Sequence, residues 1–444
     1  MVDIFPFCGV LYNKKRVKKL SNVLSPPYDV IKDEEQEFLY NLSDFNMVRL
    51  ILGKDFPGDN EYNNKYVRAA SSFNGWIRHG ILSVEEKPSL YVYEQQFKYG
   101  TKTYSRTGII ALLRFDDVSK RKVVPHEFTL PTPKRDRISL IRSASANFDN
   151  VFSLFSDEKG KISKIMKKMK KGKPELDVKD VKGIINRLWK VKKRSEIKKI
   201  QKYFKDKTVF IADGHHRYEA ALQFKNEMKV RNTRFTEEEA YNHVMMDFVP
   251  IQSLGLVVLP IHRVLKIPLQ FSAQYVLTQL EAYFDIFEYP FKKKSEDKIK
   301  KKMTKELQKK SNEHAFCFYF KEIPDTYYIL ALKKDVIIHD IIKEDKSDNW
   351  KNLDVTILHS LVFKNLLGIE DNENFIFTKH QEEALNYVKD QNASLAVLLN
   401  PVKVEDIIKI AEKFEKMPQK STYFYPKLTS GVIMNRIILG EKIE

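Results

Sequence analysis

Asp213, Gly214, His215, His216 and Arg217 are consecutive, and they bring together the residue types that handle phosphate. A carboxylate that can hold Mg²⁺ beside donors that can hold phosphate oxygens is the minimal set for phosphoryl transfer. The plainer interpretation is that Asp213 caps a helix while the basic residues lie on the surface. The concentration of acceptor, imidazoles and guanidinium in five positions favours a phosphate site.

The residues on either side of this run predict the elements that position it. Residues 208–212 are β-branched or apolar, which indicates a short strand. Tyr218, Ala221 and Leu222 then recur at helical spacing. A strand, a turn and a helix N-terminus therefore meet at 213–217, where unpaired backbone N–H groups and the positive end of the helix dipole favour anions.

The usual phosphate loops are absent from the sequence. It contains no G-x-x-x-x-G-K-[ST], no protein-kinase H-R-D and D-F-G set, and no G-x-G-x-x-G after a strand. Glycine is also scarce, with 15 among 444 residues. Any phosphoryl transfer must therefore rely on the 213–217 corner.

Two earlier stretches offer residues that could grip a small substrate. Tyr28 and Asp29 follow two prolines, which fix the backbone and predict a rigid loop. Residues 46–52 read as a buried strand in which Asn46 and Arg49 are the strongly polar members. Tyr28, Asp29, Asn46 and Arg49 are therefore candidates for binding the substrate, and Asp29 is also a candidate base.

Two further stretches carry groups for acid–base chemistry or phosphate binding. Glu127 follows His126 in a pair that is not a zinc-protease motif, because no second histidine stands at the required spacing. The pair is a candidate acid or base, with a surface pair as the alternative. Lys420, Ser421 and Thr422 lie in a stretch bounded by prolines and offer phosphate ligands, or a packed loop that anchors the C-terminal region.

Four stretches together resemble one family. D-G-H-H-R-Y-E-A-A at 213–221 is similar to the phosphate box of the ParB/sulfiredoxin-like superfamily, and S-P-P-Y-D-V-I at 25–31, H-E-F-T at 126–129 and M-P-Q-K-S-T-Y-F-Y-P-K at 417–427 extend the match. The combination resembles the pyrophosphate-dependent L-serine kinases of that superfamily, and it spans nearly the full chain.

The resemblance implies that free L-serine and pyrophosphate give O-phospho-L-serine and orthophosphate with Mg²⁺. Asp213 would hold the metal, and Asp29 and Glu127 compete for the role of base. The full set of expected roles is catalytic for Asp213, His215, Glu127 and Asp29, phosphate-binding for Gly214, His216, Arg217, Lys420, Ser421 and Thr422, and substrate-binding for Tyr28, Asn46 and Arg49.

Two rival functions stay open at this point. An ATP- or ADP-dependent free serine kinase would use the same phosphate corner and add a pocket for the base. A ParB-like, non-enzymatic module associated with nucleic acid would explain the net charge of +18. Nucleic acid is not the expected partner, because the excess lysines stand in runs without interleaved aromatic residues.

Length and pattern predict an α+β protein of more than one domain. The first domain is expected at 1–266, a ParB-like catalytic unit with a Lys-rich helical insertion near 157–204. The second is expected at 267–444, an α+β domain whose 417–427 loop completes the site.

Composition also predicts the environment of the chain. Two cysteines, Cys8 and Cys317, suit a reducing compartment and cannot form a disulfide framework. No apolar run approaches the length of a membrane helix, and no signal peptide is visible. We therefore expect a soluble, cytoplasmic protein of unknown oligomeric state.

Overall fold

The computed structural model describes residues 1–115, 122–390 and 392–443. It divides into two compact units, which are described separately. The first unit comprises residues 1–125, 129–257 and 426–444, and the second comprises 126–128 and 258–425. Helices and strands mix throughout, so the predicted α+β class is confirmed. The predicted domain limits at 266 and 267 stay predictions.

Strands and helices are numbered in chain order. The strands are β1 Ile4–Phe5, β2 Val10–Tyr12, β3 Leu82–Val84, β4 Leu90–Tyr99, β5 Lys102–Arg114, β6 Val123–Pro125, β7 Ala146–Asn147, β8 Val151–Phe155, β9 Leu176–Lys179, β10 Ile185–Val191, β11 Val209–Asp213, β12 His243–Pro250, β13 Val257–Leu259, β14 His262–Leu265, β15 Phe284–Pro290, β16 Ala315–Phe320, β17 Thr326–Leu332, β18 Phe375–Thr378, β19 Leu395–Leu399, β20 Tyr423–Tyr425 and β21 Asn435–Arg436.

The α-helices are α1 Asp33–Leu42, α2 Val48–Ile51, α3 Lys65–Arg78, α4 Pro131–Ala144, α5 Lys161–Met169, α6 Arg194–Phe204, α7 His215–Arg231, α8 Ala273–Leu280, α9 Glu296–Lys309, α10 Ile338–Ile341, α11 Asp348–Lys351, α12 Asp354–Ile357, α13 Gln381–Lys389 and α14 Val404–Glu412. A π-helix follows α12 at Leu358–Leu366. Short 3₁₀ turns occupy Leu20–Asn22, Tyr28–Val30, Ala240–Asn242, Lys293–Ser295 and Asn372–Asn374.

One mixed sheet organises the first unit. Its strands run in the order β6-β11-β8-β12-β5-β4-β10-β9, and β1 pairs with β5. The central strands are mostly apolar. Every residue of β8 and of β12 is buried. This sheet places the C-terminal end of β11, and with it Asp213, among its inner strands.

The second unit has its own six-stranded sheet, in the order β15-β17-β16-β19-β14-β18. Strands β16 and β17 form an antiparallel hairpin within it. Its two sides carry separate apolar clusters, one built on α8 and the π-helix and the other on α9 and α13. This unit therefore has its own hydrophobic core.

The predicted strand at 46–52 is wrong, because the chain forms the short helix α2 there. The side-chain oxygen of Asn46 accepts a hydrogen bond from the Val48 N–H at 2.9 Å. Such a local bond from an asparagine side chain turns the backbone into a helix start instead of an extended strand.

The predicted helices in the Lys-rich stretch are confirmed at α5 and α6 but wrong between them. Residues 185–191 form β10, which pairs with β4 at seven positions and with β9 at four. The apolar residues Ile184, Ile185 and Leu188 have a spacing that also fits a helix. Pairing with a neighbouring strand that is distant in sequence overrides that local preference.

Within the described ranges, no helix has both the length and the apolar character needed to cross a membrane.

Candidate functional site

The predicted strand, turn and helix at 208–222 are confirmed. Strand β11 ends at Asp213, Gly214 follows with φ of 85°, and helix α7 begins at His215. Glycine is required at this position, because a Cβ on Gly214 would lie 2.8 Å from Arg217 Nε and the positive φ disfavours other residues. Gly214, the N-cap residue, has no side chain to cap the helix, and the Tyr218 N–H bonds the Gly214 carbonyl at 3.0 Å.

Asp213 does not act as the helix cap that the plainer interpretation proposed. Its Oδ1 accepts from the ammonium of Lys427, and its Oδ2 accepts from Arg217 Nη2 at 2.8 Å. All three side chains are about nine-tenths buried, with exposures of 13%, 12% and 9% respectively. Burial acts to raise the pKa of Asp213, but the charges of Lys427 and Arg217 outweigh it and hold that pKa below its ordinary value. Asp213 is therefore an ionised carboxylate gripped by two cations.

The guanidinium of Arg217 uses only some of its N–H donors within the described part of the chain. Its Nη1 donates to the Asn150 carbonyl at 2.5 Å, and its Nη2 binds Asp213. Its Nε is buried and has no hydrogen-bond partner in the described part of the chain. Leaving a buried guanidinium donor unpaired costs free energy, so this N–H is expected to meet an acceptor from outside the chain.

Two further carboxylates surround this guanidinium. Asp213, Asp149 and Asp29 act together on Arg217 and raise its pKa despite its burial, which acts to lower it. Burial raises the pKa of Asp149, and the charge of Arg217 offsets that effect only in part. The corner therefore combines an ionised carboxylate, Asp213, with one that holds its proton more tightly, Asp149.

Tyr28 and Asp29 lie in a 3₁₀ turn that the preceding prolines make rigid. The guanidinium of Arg137 stands 3.8 Å from the centre of the Tyr28 ring. Burial raises the pKa of Tyr28 to about 12, so its hydroxyl keeps its proton at neutral pH. Asp29 is exposed. The structure thus presents Tyr28 as an immobilised donor and Asp29 as an accessible carboxylate.

The two histidines of the corner are used differently. His215 is buried, and its charge contributes to the low pKa of Asp213. The Nε2 of His216 accepts a hydrogen bond from the Leu130 N–H at 2.9 Å. His215 therefore faces the carboxylate, whereas His216 ties the corner to the loop before α4.

Asn46 and Arg49 are engaged within the fold. The amide of Asn46 donates to the carbonyls of Asn22 and Leu24 at 2.8 and 3.2 Å. Arg49 donates to the Tyr40 carbonyl at 3.0 Å, and its guanidinium lies 4.6 Å from the centre of the Tyr40 ring. These contacts stabilise the turns around α2, and binding of substrate by either residue stays a prediction.

Four candidate residues belong to the second unit. Glu127 is partly exposed and Lys420 is exposed, with Lys420 at a positive φ of 55°. Ser421 is buried, and its hydroxyl bonds a backbone carbonyl of its own loop. The hydroxyl of Thr422 lies 3.3 Å from His126 Nε2. Their roles in phosphate binding and acid–base chemistry stay predictions.

Three residues of this region were not among those predicted from the sequence. Lys427 was part of the quoted 417–427 stretch but had no role of its own, and the ion pair with Asp213 assigns it one. Asp149 was not singled out, and neither was Asp247, a lone carboxylate in the apolar run of β12. A carboxylate inside a buried strand is rare enough to have been a signal.

The described residues contain no group of three or more His, Cys, Asp or Glu side chains placed to hold a metal ion. Mg²⁺ characteristically binds through one or two carboxylates together with substrate phosphates. Asp213 remains ionised and retains free lone pairs on its oxygens, so the corner fits a metal that arrives with a phosphate group. It does not resemble a metal site built from protein ligands alone.

A family profile described as a protein of unknown function, DUF1015, matches residues 4–356. The chain belongs to the DUF1015 family. The match includes the 213–217 corner, Tyr28, Asp29 and Asp149, and it ends before Lys427. No curated protein matches this DUF1015 member in sequence.

Solved structures show weak similarity. A free serine kinase in complex with AMP has 12% sequence identity and a TM-score of 0.31, covering 68% of this chain and 83% of that chain. A conserved hypothetical protein from Pyrococcus furiosus has 11% identity and a TM-score of 0.30 over 68% of this chain and 87% of its own. SbnI from Staphylococcus aureus, with a C-terminal truncation, has 10% identity and a TM-score of 0.31 over 75% and 86%. Similarities this low assign neither a substrate nor a site residue.

Proposed function

We propose that this DUF1015 member is a phosphotransferase that makes O-phospho-L-serine and orthophosphate from free L-serine and pyrophosphate, with Mg²⁺. The proposal combines the family resemblance of four sequence stretches with the geometry of the corner at β11 and α7. Its donor, its metal and its acceptor are each open to a direct test.

The observation that carries the proposal is the unpaired Nε of Arg217. This buried N–H stands beside Gly214, where the absence of a side chain lets the guanidinium lie close to the backbone. Helix α7 also begins at this glycine, so its first-turn backbone N–H groups and the positive end of its dipole lie at the same place. Donors of both kinds around one glycine form an anion site of the type that binds phosphate.

The charges of the corner suit a compact and highly charged donor. Lys427 and Arg217 are fixed by Asp213, so their positions are set before a ligand binds. Pyrophosphate needs cations and a metal but no pocket for a nucleotide base. A preorganised cluster of this kind favours phosphoryl transfer through position and electrostatics.

The reaction itself is a single displacement. The serine hydroxyl gives its proton to a carboxylate, its oxygen attacks one phosphorus of pyrophosphate in line, and the bridging P–O bond breaks to release orthophosphate. Asp29 and Glu127 are the bases expected from the sequence. The structure adds Asp149 as a third candidate, because it acts on Arg217 and burial raises its pKa, which makes it a stronger base than an ordinary carboxylate. Asp213, held ionised, would bind Mg²⁺ carried by the phosphates.

The test is phosphorus NMR on the purified full chain with L-serine, Mg²⁺ and, in separate samples, pyrophosphate, ATP and ADP. Phosphoserine formed with pyrophosphate alone is the expected result. Phosphoserine formed only with a nucleotide would keep the serine kinase activity and replace the donor. No phosphoserine in any sample would overturn the proposal.

A second experiment separates the enzyme from a binding module. A nucleic-acid module would bind DNA with an affinity that falls steeply as salt rises. The proposed enzyme is expected to show little affinity for duplex DNA at physiological salt. Tight, strongly salt-dependent binding together with no turnover would favour the module.

A further inference from the structure

A buried polar layer lies on the sheet next to the corner, and the proposed chemistry does not use it directly. In the strand register, Asp213 of β11 and Asp247 of β12 are both opposite Phe152 of β8. Side chains that are directly opposite in neighbouring strands share a face of the sheet. Asp213, Phe152 and Asp247 are therefore aligned on one face, with the two carboxylates on either side of the ring.

Arg106 occupies the space between these two carboxylates. Its guanidinium stands 4.6 Å from the centre of the Phe152 ring. The side chain is 2% exposed, and its charge interacts with both Asp247 and Asp213. A buried cation on an aromatic face between two acids is held in one place by electrostatics.

Arg106 also holds the backbone that carries Lys427. Its Nη2 donates to the Pro426 carbonyl at 2.6 Å and to the side-chain oxygen of Gln95. The amide of Gln95 in turn donates to the Lys427 carbonyl at 3.1 Å. The peptide on either side of Lys427 is thus fixed by two side chains of the sheet.

Asp247 is the unusual member of this layer. It is 1% exposed, and its Oδ1 has no hydrogen-bond partner within the described ranges. Its carboxylate fills the space that the absent side chain of Gly108 leaves, since a Cβ added to Gly108 would lie 2.1 Å from Asp247 Oδ1. The charged or titratable groups that act on it are Arg106 and the Tyr93 hydroxyl. A buried carboxyl group with an unpaired oxygen lowers the stability of the fold. Its presence here therefore indicates a role other than stability.

We infer that Arg106 is a positioning residue that sets Lys427 against Asp213, and that Asp247 holds Arg106 in place through its charge. The role of the pair rests on the proposed function, since Lys427 and Asp213 belong to the proposed phosphate site. The contacts themselves can be tested without turnover.

The test measures how fast acetic anhydride modifies Lys427, read by mass spectrometry of the full chain. Lys190 is the internal control, because its side chain is 8% exposed and paired with Glu85 and Glu175 in the same unit. In Arg106→Gln, modification of Lys427 relative to Lys190 is expected to rise by about tenfold or more, since two charge-assisted contacts are lost. Arg106→Lys keeps the charge. Its ratio of Lys427 to Lys190 modification is expected to lie between the ratios of Arg106→Gln and of the natural protein.

The pH dependence of the same ratio tests Asp247. Burial raises the pKa of Asp247 to about 7, so the carboxylate is mostly neutral at pH 6 and mostly charged at pH 8. The Lys427 to Lys190 ratio of the natural protein is therefore expected to be higher at pH 6 than at pH 8. In Asp247→Asn the ratio is expected to stay at its pH 6 value throughout.

An unchanged ratio in Arg106→Gln, or an equal rise at Lys427 and Lys190, would overturn the inference. Calorimetric titration with Mg²⁺ and pyrophosphate separates this outcome from failure of the proposed function. Pyrophosphate binding with unchanged labelling would retain the phosphate site and reject Arg106 as its positioning residue. Altered labelling without pyrophosphate binding would retain the positioning and reject the donor.

Discussion

Asp247→Asn is expected to stabilise the first unit, and to do so more strongly as the pH rises. The natural carboxyl has a pKa of about 7 in the folded protein because burial disfavours its charged form. In the unfolded chain an aspartate titrates near 3.9. Between these values the folded state binds more protons than the unfolded state, so the free energy of unfolding falls as the pH increases. Asparagine has nearly the same size and does not titrate.

The size of the effect follows from the displacement of the pKa. A pKa near 7 instead of 3.9 corresponds to ~4 kcal/mol of lost stability once the carboxylate is fully charged. At pH 5.5 the same relation gives ~2 kcal/mol. The advantage of the variant should therefore grow by ~2 kcal/mol between pH 5.5 and pH 8, whatever constant cost the amide adds.

The assay is urea unfolding followed by tryptophan fluorescence at several pH values. Trp76 and Trp189 lie in the first unit and Trp350 in the second, so a Trp350→Phe background restricts the signal to the first unit. Asp157→Asn is the matched control, because Asp157 is buried with hydrogen bonds from Ile162 and Ser163 that help to lower its pKa.

The control variant is expected to destabilise the unit by an amount that is constant above pH 5.5. An advantage of Asp247→Asn that does not change between pH 5.5 and pH 8 would refute the reasoning. It would mean that the folded protein does not hold the proton on Asp247.

Three further variants address the corner and its surroundings. Asp213→Ala is expected to abolish phosphoserine formation while the circular dichroism spectrum stays unchanged, and turnover near the natural level would remove Asp213 from the mechanism. Gly214→Ala is expected to weaken pyrophosphate binding by about tenfold or more in calorimetry, because the added methyl meets Arg217 and the positive φ adds strain. Asn46→Ala is expected to lower the free energy of unfolding by ~1–3 kcal/mol, because it removes buried hydrogen bonds. A changed KM for serine without loss of stability would instead support Asn46 as a substrate ligand.

Local sequence determined the corner well. The β-branched run before Asp213 favours a strand, Gly214 permits the positive φ, and the apolar spacing after it favours a helix. Each of these preferences acts over a few residues, so it can be read without knowing the rest of the fold. The two prolines likewise fixed the turn that presents Tyr28.

Contacts between distant residues could not be read in the same way. Asn46 looked like a polar position in a strand, but its side-chain amide donates to the carbonyls of Asn22 and Leu24, which are more than 20 residues away in the chain. Residues 185–191 had helical spacing, but pairing with β4 made them a strand. In both cases a hydrogen bond outside the local pattern outweighed a weak intrinsic preference.

The sequence by itself therefore determined the α+β class, the strand-turn-helix corner and the chemical character of residues 213–217. Only the tertiary structure decided which partners those residues have. It placed Lys427 on Asp213 from 214 positions away in the chain, and it aligned Asp247 and Asp213 across β8 with Arg106 between them. Charge and burial at a site depend on segments brought together by sheet register, and a single sequence does not encode that register in any local pattern.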